Sequence, residues 1–147
     1  MKKLIAVICV MVMLLSLSAC GADDGKYVVG VCQLLKHPAL DQATQGFKDA
    51  LIAELGEENV LFKDGDAGGE YTNCGTIIDG YVAENVDLIL ANATAPLTAA
   101  ASATSSIPVL GTSITDYATA LSITNWTGTV GGNISGTTDL APLDQQA

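Results

Sequence analysis

"KYVVGVCQLLKHPALDQATQGF", residues 26–47, changes its periodicity part-way along. Lys26–Gln33 is rich in β-branched residues and continuously apolar rather than alternating, the pattern of a strand buried on both faces. From Leu40 onward apolar side chains return at steps of three or four, at Leu40, Ala43, Phe47, Leu51 and Leu55, and Gly56 follows where a left-handed residue closes a helix. At the joint stands His37-Pro38. Proline at a first helical position has its φ preset and lacks only an N–H that would go unbonded there, so the pair marks where a helix begins.

The alternation continues down the chain. Asn59–Lys63, Val86–Ala91 and Ile107–Gly111 repeat the buried-strand type. Tyr71, Cys74, Ile78, Tyr81 and Val82 trace a second helical face, and Pro96–Ala103 is an alanine-rich third helix. The order β-α-β-α-β-α-β predicts an α/β fold, a three-layer Rossmann-like parallel sheet with helices on both sides.

Residues 1–19 stand apart from this pattern. Lys2 and Lys3, an apolar run and then Leu17-Ser18-Ala19 before Cys20 read as an export signal ending in a lipobox-like motif, in which Cys20 is acylated and becomes the mature first residue. The expected organisation is a signal peptide over 1–19, a tether over 20–25, an α/β lobe over 26–120 and, over 121–147, the start of a crossover. The expected location is the extracytoplasmic face of the cell membrane.

Without the leader, four lysines remain against 16 acidic residues, a formal charge of −12. Phosphate binding needs a basic face, so nucleic acid is excluded as a partner, and attachment to anionic lipid by charge is excluded with it. Neither glycine spacing of a nucleotide cradle, G-x-G-x-x-G or G-x-x-x-x-G-K-[ST], is present, and no cofactor is expected. "DGDAGGE" at 64–70 reads as a solvated turn, and no metal site is expected. Cys32 and Cys74 read as small buried apolar residues, with a disulfide between them left open. Cys32 and His37 offer a thiol and a base near one another, but the thiol belongs to the apolar run and no G-x-S-x-G elbow accompanies it, so no enzyme is expected.

In open parallel sheets ligands bind beyond the carboxyl ends of the strands, where helix N-termini present unpaired N–H groups. Three segments qualify: Gln33–Pro38, Asn92–Pro96 and Thr112–Asp116. Their polar residues, Gln33, His37, Asn92, Thr94, Thr112, Ser113 and Asp116, are the candidate ligand-binding set. They are mostly neutral hydrogen-bonding groups with one acid, which suits a small polar ligand. Trp126 and Tyr117 are the candidate aromatic platforms.

"VGVCQLLKHPALDQATQGFKDAL", "VDLILANATAPLTAAASAT", "IPVLGTSITD" and "TGTVGGNISGTTDLAP" together resemble the substrate-binding proteins of ABC transporters, the family that includes tryptophan-binding lipoproteins. The resemblance covers nearly all of residues 26–144, and His-Pro-Ala-Leu-Asp is its most specific part. It implies one lobe of a type I periplasmic-binding-protein fold with the flavodoxin-like strand order 2-1-3-4-5. It also implies an amino-acid-like ligand, an ABC permease as partner and attachment to the membrane through a lipid anchor. An extracellular sensing lobe of a signalling system uses the same fold and is the alternative. Two departures stand out: Asp116 is followed by Tyr117 where the family has proline, and the chain is about half as long as its kin, as expected of an N-terminal lobe whose crossover is cut short.

Overall fold

The computed structural model describes residues 25–139. The leader, Cys20, nearly all of the tether and residues 140–147 lie outside them. Among the described residues nine elements follow in chain order, namely β1 (Tyr27–Gln33), α1 (Pro38–Leu55), β2 (Val60–Asp66), α2 (Tyr71–Ala83), β3 (Leu88–Asn92), α3 (Thr94–Ala103), β4 (Val109–Ile114), α4 (Tyr117–Ala120) and β5 (Ile134–Thr138), with a 3₁₀ turn at Glu57–Asn59. The strands form one sheet in the order β2-β1-β3-β4-β5, every neighbouring pair parallel. This is the expected three-layer architecture and strand order.

Several bounds differ from expectation, each for a reason of pairing. β2 runs on to Asp66 because its parallel ladder with β1 continues as far as Gln33↔Asp66, so Asp64 and Asp66 are strand residues. The turn is confined to Gly68 and Gly69, both at positive φ, and Asp66 Oδ1 accepts from Gly68 N–H at 2.9 Å. α3 begins at Thr94 rather than Pro96, which places the proline third in the helix, still within the first turn where an N–H has no intrahelical partner. Inside the region read as crossover, Ile134–Thr138 extends the sheet beside β4.

The two faces of the sheet are covered unequally. On one, Cys32, Ile89, Ala91 and Val109 meet Cys74, Ile78 and Tyr81 of α2, Leu97 and Ala100 of α3, and Tyr117 of α4. On the other, Val29, Val31, Val60 and Leu90 meet Phe47, Leu51 and Leu55 of α1. The predicted α1 stripe does face the sheet, yet no residue of that helix is fully buried. Burial of apolar side chains on the α2/α3 face therefore supplies most of the hydrophobic stabilisation.

Two tyrosines are let into the sheet where glycine leaves room, Tyr81 at Gly30 and Tyr117 at Gly111. Tyr81 lies flat over Gly30, and its hydroxyl sits between the carbonyls of Val31 at 2.9 Å and Lys63 at 2.8 Å, linking β1 to β2. A Cβ at Gly30 would stand 2.5 Å from the Tyr81 ring, which its hydroxyl contacts keep from retreating. Gly30→Ala is accordingly expected to lower stability by about 1–3 kcal/mol through overpacking, read as a lower urea midpoint with unchanged slope. An unaltered midpoint would show that the ring moves freely.

Candidate functional site

Because β1, β3 and β4 are adjacent and parallel, their carboxyl ends share one edge. The ladder pairs Gln33 with Asn92 and Asn92 with Thr112, so the three candidate segments open from one row across the sheet. After β1 the chain moves outward to β2 and then returns past β1 to β3, which puts the reversal of strand order between β1 and β3. This is where open α/β sheets hold ligands.

The first segment is held by its own polar groups. His37 is the N-cap of α1, with Nδ1 accepting from Ala39 N–H at 3.2 Å, and Pro38 is the first helical residue. Asn92 Nδ2 donates to Leu40 O at 2.8 Å and to Thr44 Oγ1 at 2.9 Å. The Thr44 hydroxyl donates in turn to Gln33 Oε1 at 2.7 Å, and Gln33 Nε2 donates to Asp41 Oδ1 at 2.6 Å and Leu35 O at 2.9 Å. Amide, hydroxyl, amide and carboxylate thus form a relay of consistent direction that ties the ends of β1 and β3 to α1, each bond polarising the next. Gln33 and Asn92 are both buried, whereas His37 is exposed. Asn92 Oδ1 is the buried side-chain oxygen left without a partner among the described residues.

The second segment carries backbone strain. Ala93 has φ 101° and ψ 165°, a region suited to glycine, and costs on the order of 1–3 kcal/mol to hold. It is fixed by Ala93 N–H donating to Thr112 O at 3.0 Å and Leu97 N–H donating to Ala93 O at 3.2 Å. As the N-cap of α3 it provides no side-chain acceptor, so in the first turn of that helix the N–H groups of exposed Thr94 and of Ala95 are left for another partner.

The third segment bends. Ser113 has φ 56° and the β4–β5 register shifts between Gly111 and Ile114, a bulge that re-aims the half-buried Thr112 and Ser113 at the strand end. Asp116 caps α4, with Oδ1 accepting from Ala118 N–H at 2.9 Å and Oδ2 from Thr119 Oγ1 at 2.5 Å. The Thr119 hydroxyl and these backbone amides hold the exposed Asp116 carboxyl below its ordinary range, so it is ionised at neutral pH. Asp116 and Trp126 line an open cleft of about 500 Å³ together with Gly128, Thr129 and Thr138. Tyr117, a candidate platform, is largely buried, with its hydroxyl donating to Thr137 O at 3.4 Å, and only a small part of it reaches the wall of this cleft. Thr44 and Asp41 were not anticipated at this edge; their spacing of three on α1 was the available signal. Tyr71, read as part of an inward face, is 73% exposed at the start of α2.

Cys32 and Cys74 are free and fully buried, and the Cys74 thiol donates to Glu70 O at 3.8 Å. Burial, followed by the neighbouring Cys74, pushes the Cys32 thiol up to about 12, and burial raises Cys74 as well. Such thiols are poor nucleophiles. Among the described residues no group of three or more His, Cys, Asp or Glu is placed to hold a metal ion, and no helix is long and apolar enough to cross a membrane.

The model of the family described as "ABC transporter substrate binding protein" matches residues 28–147. This chain belongs to that family. The family is one of binding proteins rather than enzymes. Its similarity extends to a tyrosine-binding protein of Clostridioides difficile strain R20291, 31% identical over 167 aligned residues that cover 98% of this chain and 46% of the relative. Among solved structures it is similar to the ligand-free, open form of a substrate-binding protein with adhesive properties from Clostridium difficile, at TM-score 0.75 and 31% identity over 81% of this chain and 41% of that one. It is also similar to an ABC domain in complex with L-Trp from Streptococcus pneumonia, at TM-score 0.74 and 30% identity over 82% of this chain and 41% of that one. The chain spans less than half the length of these family members.

The raised Cys32 thiol sets a pH dependence. Its neutral form is favoured by folding, so that contribution is complete below the unfolded value near 9.0 and is lost as pH climbs toward 12. Melting temperature is expected to fall over that window, with a shallower fall in Cys32→Ala. At pH 8 iodoacetamide should label neither thiol of the folded chain but both after denaturation; fast labelling of the native protein would contradict the buried assignment.

Proposed function

We propose that this chain is the ligand-holding lobe of an extracytoplasmic amino-acid-binding lipoprotein serving an ABC importer. The observation that carries the reading is the in-register row Gln33, Asn92, Thr112, which brings three strand-to-helix turns to one edge beside the uncapped start of α3. The charge pattern of that edge complements a zwitterion. The open N–H groups of α3 and the hydroxyls of Thr94, Thr112 and Ser113 suit an α-carboxylate, a role for which these 147 residues offer no arginine. Asp116, ionised and exposed, suits the α-ammonium. Gln33 and Asn92 serve chiefly by fixing the edge, and His37 lies at its rim.

Relatives named for tyrosine and crystallised with L-Trp support an amino acid as ligand. A second lobe facing this one would close over it, because contacts to both lobes favour the closed state by their differential energy. The closed form is what a permease would recognise. Cys20 would carry the lipid that keeps the protein at the membrane, and the lipobox-like leader supports that placement.

Titration of the full-length protein with L-tyrosine and L-tryptophan by calorimetry tests the reading. Asp116→Asn retains a capping side chain but removes the charge, and it is expected to weaken binding roughly ten- to a hundredfold, the equivalent of one charge-assisted hydrogen bond of about 1.5–3 kcal/mol. Undiminished affinity would remove Asp116 from the site, and absence of heat with any amino acid would remove the amino-acid reading.

A further inference from the structure

Four large apolar side chains are exposed among the described residues: Tyr27, Leu61, Tyr71 and Trp126. Tyr27 and Leu61 belong to the amino-terminal ends of β1 and β2, away from the ligand edge. Tyr71 is the most exposed at 73%, and it is the first residue of α2, so it stands at the carboxyl edge of the sheet. The other helix tyrosines, Tyr81 and Tyr117, are buried with hydroxyls engaged by carbonyls, whereas the Tyr71 hydroxyl has no hydrogen bond among the described residues.

Its position is tied to the candidate site through the backbone. Ala67 N–H donates to Gln33 O at 2.9 Å and Gly69 N–H to Leu34 O at 2.7 Å, so the turn that delivers Tyr71 hangs on the β1–α1 loop. Asn73 Nδ2 donates to Ala67 O at 3.1 Å and fixes the first turn of α2 to the β2–α2 turn that precedes it. Tyr71 stands at one end of a groove of about 480 Å³ between α2 and α3 that begins at Thr94 and Ala95 and runs past Thr98 to Ser102, and among the described residues no charged side chain lines it. The ring and the uncapped α3 terminus are therefore walls of one space.

We infer that Tyr71 is a specificity-determining residue, whose ring packs against the side chain of the bound amino acid and selects aromatic ligands. The inference rests on the amino-acid-binding reading above. With an α-carboxylate on the first turn of α3, the ligand's side chain lies within reach of Tyr71 because Thr94 and Ala95 border both places. A flat apolar side chain gains an offset or edge-to-face contact with the ring and covers methyl-lined surface, while a charged one loses water and meets no counter-charge in the groove.

The test uses the full-length protein and its Tyr71→Ala and Tyr71→Phe variants, titrated with L-tyrosine, L-tryptophan, L-leucine and L-serine by calorimetry. Tyr71→Ala is expected to weaken the two aromatic ligands about tenfold while leaving leucine and serine within about twofold, and Tyr71→Phe is expected to restore aromatic affinity. Melting temperatures of the unliganded variants should match that of the parent, since the side chain is exposed. Equal weakening of all four ligands, or none, with the parent still binding amino acids, overturns the role of Tyr71 alone. A parent that binds none of the four overturns the amino-acid reading and this inference with it.

Discussion

A primary amide placed at the buried end of a β-strand must find partners inside the protein, and Asn92 finds them on α1 rather than on its own element. That requirement organises the carboxyl edge of the sheet. The Asn92 amide reaches the Leu40 carbonyl and the Thr44 hydroxyl, Thr44 passes the bond to Gln33, and Gln33 ends on Asp41. Two central strands and the helix that starts at His37 are thereby held in one arrangement. Without that relay, the start of α1 would be held only by the half-buried stripe lower down the helix.

The three turns at this edge are built differently, and the differences assign them different work. The first is dense with internal bonds and rigid. The second relies on a strained alanine, which aims the uncapped start of α3 outward. The third combines a bulge with a carboxylate cap, placing an anion on an exposed rim. Under the proposed reading, rigidity on one side with unsatisfied donors and a single acid on the other would suit discrimination among small zwitterions, since groups already in place lose little conformational freedom when a ligand arrives.

Much of this architecture was legible in the residues. Continuous apolar runs marked β1 to β4, and steps of three and four marked the helices. The carboxyl ends of β2 and β4 escaped because their ladders continue through polar residues, Asp64–Asp66 and Thr112–Ile114, where no apolar pattern survives. β5 escaped because "ISGTT" is short, polar and mostly exposed. At the edge, topology alone indicated which loops would converge. The burial of Gln33 and Asn92 was not readable, since it depends on Asp41 and Thr44 presenting one side of a helix to a strand end. Tyr71 fitted an inward stripe by spacing, yet as the first residue of its helix it overhangs the sheet that would have covered it.

The unequal cover of the sheet has a further consequence. α2 and α3 are anchored by fully buried Ile78, Leu97 and Ala100, whereas α1 contributes no fully buried side chain. Local opening free energy follows the apolar contact that opening must break, so the amide protons of α1 belong to the first cooperative unit to exchange with deuterium, ahead of the helices on the opposite face. The least tightly seated helix is thus the one whose leading turn borders the candidate site, and any occupant of that site would slow its exchange most.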